Sequence, residues 1–142
     1  MKRTTVTVLW SAALWATTSA SLLAASPTTI SDLRVQATHI QAAYLVWTVP
    51  SDPGEVGLGR YDVRYSTSPI DEGNWDAATQ ATGEPAPGTP GATERFTVTG
   101  LASNTLYYFA VKTSDASVAP NWSLLSNVPS GTTSAPVGDG TG

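Results

Sequence analysis

The sequence predicts an all-β domain, and two observations carry that prediction. From residue 33 onward the apolar side chains recur at period two, in short runs rather than at helical spacing. Clusters of Gly, Pro, Asn and Asp separate those runs, as turns between strands require. With 142 residues, 41% of them hydrophobic, the chain has room for one domain with a true core. Cysteine is absent, so packing and sheet hydrogen bonds must hold the domain without disulfides or thiolate metal sites.

The chain opens with Lys2 and Arg3, an apolar run from Val6 to Trp15, and small polar residues leading to Ala20. This is the pattern of an export signal, cut after Ala20 so that Thr18 and Ala20 are the small residues of the cleavage site. The apolar run falls short of the ~20 residues that span a bilayer and is broken by Ser11 and Thr17, so no membrane span is expected in the mature chain. The protein is expected to be extracytoplasmic: secreted, held at the cell surface, or periplasmic. Residues 1–20 are assigned to the signal, 21–30 to a linker, 31–133 to the domain, and 134–142, "SAPVGDGTG", to a flexible C-terminal linker.

Leu33 and Val35 alternate in a first strand. Leu45, Trp47 and Val49 alternate in a second, which stops at Pro50 and at Pro53-Gly54. Arg60 to Tyr65 is the cleanest alternation, with Tyr61, Val63 and Tyr65 on one face and Arg60, Asp62 and Arg64 on the other, a charged face expected to be wet. Phe96 and Val98 lead to Gly100-Leu101. Then Tyr107, Phe109 and Val111 point one way while Tyr108, Ala110 and Lys112 point the other, so the paired tyrosines face opposite sides.

Trp47 within "AYLVWTVPSDP", the run "YDVRY", the stretch "GLASNTLYYFAV" and the closing "SNVPSGTT" together resemble a fibronectin type III domain over about residues 31–133. The resemblance implies an immunoglobulin-like sandwich of seven antiparallel strands in two sheets. It also implies that Trp47 lies between the sheets and that Tyr107 is the tyrosine-corner residue, bonding a backbone group just upstream. The expected core is Trp47, Tyr61, Val63, Tyr65, Phe96, Leu101, Tyr107, Phe109 and Val111. Some thirty residues between the third strand and Phe96 depart from the compact pattern, and long connections in compact domains are often functional. Their first part, "TSPIDEGNWDAAT", looks like an insert of a bacterial secreted subset. Ser68 or Asp71 is expected to cap a short helical turn carrying Trp75, which packs back on the sandwich, while Pro85, Pro87 and Pro90 enforce an extended path.

Few residues point to chemistry. Trp75, Tyr108 and Trp122 are candidate ligand contacts, since flat rings with polar edges can stack on sugars, but large aromatics in a small domain ordinarily supply packing area. His39, the sole histidine, sits near a bend without a positioned partner for acid–base work. Asp71, Glu72 and Asp76 would suit a glycoside hydrolase only if two of them faced one cleft, and a solvated loop explains them as well. Asp52, Glu55 and Asp115 fall in turns without the dense oxygens of a calcium loop, and the single Asp of "GDGTG" reads as linker. Asn121 begins the sequon "NWS", which carries little weight in a chain that looks bacterial. No catalytic, cofactor or metal site is assigned. The formal charge of −4 and the scattered bases leave no basic stripe for nucleic acid. The expected role is a non-catalytic, monomeric spacer or protein-interaction and adhesion module. Its alternative is a carbohydrate-binding accessory module, and its partner a protein or a surface polysaccharide.

Overall fold

The structure, a computed structural model, describes residues 25–54 and 56–138; the predicted signal, Glu55 and the final residues 139–142 lie outside the described residues. Among the described residues seven strands follow one another: β1 Arg34–Thr38, β2 Ala42–Thr48, β3 Leu58–Ser66, β4 Thr79–Gln80, β5 Thr93–Thr99, β6 Leu106–Asp115 and β7 Ser130–Thr132. They form two antiparallel sheets, ordered β1-β2-β5 and β4-β3-β6-β7. The fold is therefore the all-β sandwich that the alternating sequence demands.

Each sheet turns its alternate apolar residues inward. Ala43, Leu45 and Trp47 of β2 meet Tyr61 and Val63 of β3 and Tyr107, Phe109 and Val111 of β6, with Val98 and Leu101 completing the core. Trp47 is fully enclosed and stands edge-on to Tyr61, ring centroids 5.0 Å apart at 84°. Tyr65 and Phe96 are partly buried against the same cluster. Tyr107 accepts a hydrogen bond at its hydroxyl from the Ala102 amide, 3.0 Å away, which pins the turn before β6. The turn itself needs Gly100 at φ 76° and Asn104 at φ 49°, left-handed conformations that these two residue types tolerate best.

Packing against the sandwich begins ahead of β1. Pro27 is buried, Ile30 is part of the core, and the Thr28 amide donates to the Ser51 carbonyl at 2.9 Å. An isoleucine next to a strand is drawn inward because the sandwich end would otherwise lie open. Further on, β1 runs beside β7 in the same direction. The Asn127 side chain accepts from Leu33 N at 2.9 Å and donates to Leu33 O at 2.8 Å, Thr38 Oγ1 donates to Thr132 O at 2.8 Å, and Ser134 N donates to His39 O at 3.0 Å. This row of bonds joins the first and last strands across the two sheets.

Candidate functional site

The outer face of the four-stranded sheet is where the sequence placed its candidate aromatics. On β3 it presents Arg60, Asp62 and Arg64; on β6, Tyr108, Ala110, Lys112 and Ser114, with Asp62 opposite Lys112 and Arg64 opposite Ala110. Only one end of this face is the wet surface that the charge pattern suggested: Arg60 is exposed, but Asp62 is only 9% exposed, Arg64 is half-buried and Ala110 is fully buried. The insert after β3 folds back over it. Ile70 and Trp75 pack on Ala110, whose small side chain leaves room for them, and Tyr108, Leu125 and Val128 close the flank. A second, smaller core thus lies outside the sandwich.

Local hydrogen bonds shape the insert. Asp71 Oδ1 accepts from the amides of Gly73 (2.8 Å) and Asn74 (2.9 Å), while Asn74 accepts from Asp71 N and donates to Pro69 O. The resulting turn delivers Trp75 at the start of a 3-10 turn, Trp75–Ala77. The helix-capping role expected of Ser68 or Asp71 is not observed: Asn74 holds that position, without a side-chain cap bond, and Asp71 builds the preceding turn instead.

Cations from the sheet then fix the ring. The Arg64 guanidinium lies 4.6 Å from the Trp75 ring centroid and the Lys112 ammonium 4.8 Å from it. Arg64 also makes a two-pronged pair with Asp62, Nε and Nη2 each 3.0 Å from a carboxylate oxygen, donates from Nη1 to Trp75 O at 3.0 Å, and lies 3.6 Å from Asp76. Hydrogen bonding to Asp62 raises the guanidinium pKa further, so Arg64 keeps its charge. Lys112 binds Glu72 at 2.6 Å, and the other Glu72 oxygen accepts from Leu125 N at 2.8 Å. The Lys112 bond, helped by the Leu125 amide, holds the Glu72 carboxyl below its usual range. Arg60 stacks over Trp122 at 5.2 Å.

A groove of about 470 Å³ runs between Trp75 and Trp122, with Asp62, Arg64, Glu72, Asp76 and Lys112 along it. The structure therefore brings two of the three candidate aromatics to one groove and puts Tyr108 in the adjoining cluster. Trp75 is 8% exposed and is covered by cations, so it is no open stacking platform; Trp122 and Tyr108 are half-buried. Of the three insert acids, Glu72 and Asp76 both line this groove, whereas Asp71 shapes a turn; Glu72 is tied to Lys112 and to Leu125 N, and Asp76 reaches solvent 3.6 Å from Arg64. Asp52 and Asp115 accept bonds within their own turns, Asp52 from Gly54 and Gly57, Asp115 from Ser117 and Asn121. The Asn121 side chain donates to Asp115 at 2.6 Å and is thus already engaged.

Sequence reasoning missed the residues that make this face rigid. Ser126 Oγ accepts from Val111 N and Ser123 Oγ from Thr113 N, each at 3.0 Å, so two serine hydroxyls substitute for strand carbonyls along β6. The signal for Arg64 was present, since Asp62 and Arg64 are neighbours on one strand face; the Ser-x-x-Ser spacing has no strand period and gave none.

An antiparallel two-sheet sandwich with a tyrosine corner and no disulfide defines the class: an immunoglobulin-like module. More narrowly, the chain has the fibronectin type III fold, and solved structures bear this out. It is similar to the fibronectin type-III domain of human fibronectin type III domain containing protein 3, at 22% identity and a TM-score of 0.57, covering 83% of this chain and 95% of that one. It also resembles the chicken CNTN1 FN1-FN3 domains, at 18% identity and a TM-score of 0.59, covering 78% of this chain and 34% of that one. A run of titin domains matches at 21% identity and a TM-score of 0.56, over 77% of this chain and 32% of that one. The chain spans about a third of these two multidomain structures. No family model matches the chain, and no curated protein does either.

Proposed function

We propose that this protein is a non-catalytic module of the cell surface or its surroundings, exported through its N-terminal signal, and that it works as a spacer or a protein-interaction and adhesion unit. The observation that carries the reading is the commitment of its polar side chains. Of the five charged residues that line the groove, Asp62, Arg64, Glu72 and Lys112 are each hydrogen-bonded within the fold, and the fifth, Asp76, stands in solvent 3.6 Å from Arg64. Groups held this way build shape rather than reactivity, because a catalytic acid or base must be able to exchange its proton with a substrate. The fold agrees with this use, although fold alone does not assign it.

A carbohydrate-binding role is the second reading, favoured by the groove that joins Trp75 to Trp122. Tryptophan fluorescence titrated with neutral polysaccharides, together with pull-down from a surface extract, separates the two. Retention of one protein at fixed stoichiometry with unchanged fluorescence supports the interaction module. A saturable shift lost in Trp122→Ala, with the melt preserved, would move the assignment to carbohydrate.

A further inference from the structure

The five cations of the described residues divide between the two sheets. Arg60, Arg64 and Lys112 lie on the four-stranded sheet, each over a tryptophan. Arg34 and Arg95 lie on the three-stranded sheet, and both are register partners of one residue, Val46: Arg34 across β1–β2 and Arg95 across β2–β5. Directly paired residues share a face, so both side chains emerge beside Val46 on the outer surface. Val46 is nonetheless 1% exposed. Both arginines that flank it are exposed, and an arginine's aliphatic stem covers apolar neighbours while its guanidinium stays in water.

The rest of the face suits a sugar chain. Tyr44, paired with Thr97 in the next row, is 39% exposed and is held edge-on to His39 at 5.1 Å. A cleft of about 300 Å³ adjoins it, lined by Gln36, Tyr44, Arg95 and Thr97 and walled by Gly83 and Pro85. Among the described residues, neither arginine has a carboxylate within 4 Å. The acid adjoining Arg34 is Asp32, whose two oxygens are taken by Thr48 N and Oγ1.

We infer that this face binds an anionic polysaccharide that carries carboxylates, a uronate polymer. Arg34 and Arg95, with Cα atoms about 10 Å apart across one intervening strand, grip successive acidic groups in the forked geometry that guanidinium and carboxylate share. Tyr44 offers the flat surface for a sugar ring, and Gln36 and Thr97 meet its hydroxyls. The spacer reading does not depend on this site, which lies on the opposite sheet from the groove described above.

Affinity electrophoresis of the purified protein through gels containing polygalacturonate, sulfated dextran or neutral dextran tests the inference. Polygalacturonate should retard the protein and neutral dextran should not. Arg34→Gln and Arg95→Gln, which keep much of the stem over Val46, should each weaken the retardation about tenfold, and Tyr44→Ala should weaken it too. Arg60→Gln, the same charge change on the other sheet, should leave it intact. Equal losses in all three arginine variants, absence of retardation by polygalacturonate, or retardation by sulfated dextran alone would overturn the proposal. Thermal melts of each variant separate loss of binding from loss of fold, and normal melts without binding would leave the spacer reading standing.

Discussion

Tyr107 and Tyr108 are neighbours in the chain and do opposite work. Tyr107 closes the corner by accepting from Ala102 N, whereas Tyr108 flanks the outer cluster, with no hydrogen bond from its hydroxyl among the described residues. Tyr107→Phe should therefore cost about 0.5–1.5 kcal/mol in denaturant melts, and Tyr108→Phe close to nothing. Trp47→Ala should cost on the order of 3–5 kcal/mol, because a fully enclosed indole leaves a cavity between two sheets that cannot collapse. Tyr61 bears on pH. Burial pushes its phenol up to about 12. Its folded pKa lies above the unfolded value of about 10, so the stability it contributes is complete below pH about 10 and is lost as pH climbs toward 12. Ultraviolet titration should show one tyrosinate forming late and in step with unfolding, a delay that Tyr61→Phe removes.

The insert and the stretch before β7 are the elements that distinguish this sandwich. Trp75→Ala should remove the outer cluster's centre while leaving the sandwich folded, and hydrogen exchange should accelerate across residues 70–78 more than in β2 or β6. Ser126→Ala leaves the buried Val111 amide without its 3.0 Å acceptor, at a cost of about 1–3 kcal/mol. Strand identities and inward faces were legible because a strand's periodicity is local: Tyr61, Val63 and Tyr65 needed only each other to declare a face. What covers the opposite face was not legible. Whether Asp62 and Arg64 meet water depends on Trp75, which arrives through a separate turn, and on Leu125, some fifty residues further along the chain. Period two says which residues share a side and nothing about what comes to sit on it. The same limit hid Ser123 and Ser126, whose partners are backbone amides of another segment.

For the whole molecule, pH acts from both ends of the scale. Hydrogen bonding from the Asn121 side chain sets the Asp115 carboxyl below its usual range, and Lys112 does the same for Glu72. Carboxyls depressed in the folded state contribute stability that is present above their unfolded value of about 4 and is lost as pH falls through the folded one. Melting temperature should thus form a plateau bounded by these acids below and Tyr61 above, and Asn121→Ala should erode its acid edge. The row of bonds between the first and last strands has a mechanical consequence. Because β1 and β7 lie side by side and run the same way, the chain enters the sandwich at one end and leaves at the other. A pull on both termini slides the two strands past each other, and the bonds of Leu33, Thr38 and His39 must then fail together instead of one after another. Force along the chain meets the domain in shear, the direction in which a row of short hydrogen bonds resists most.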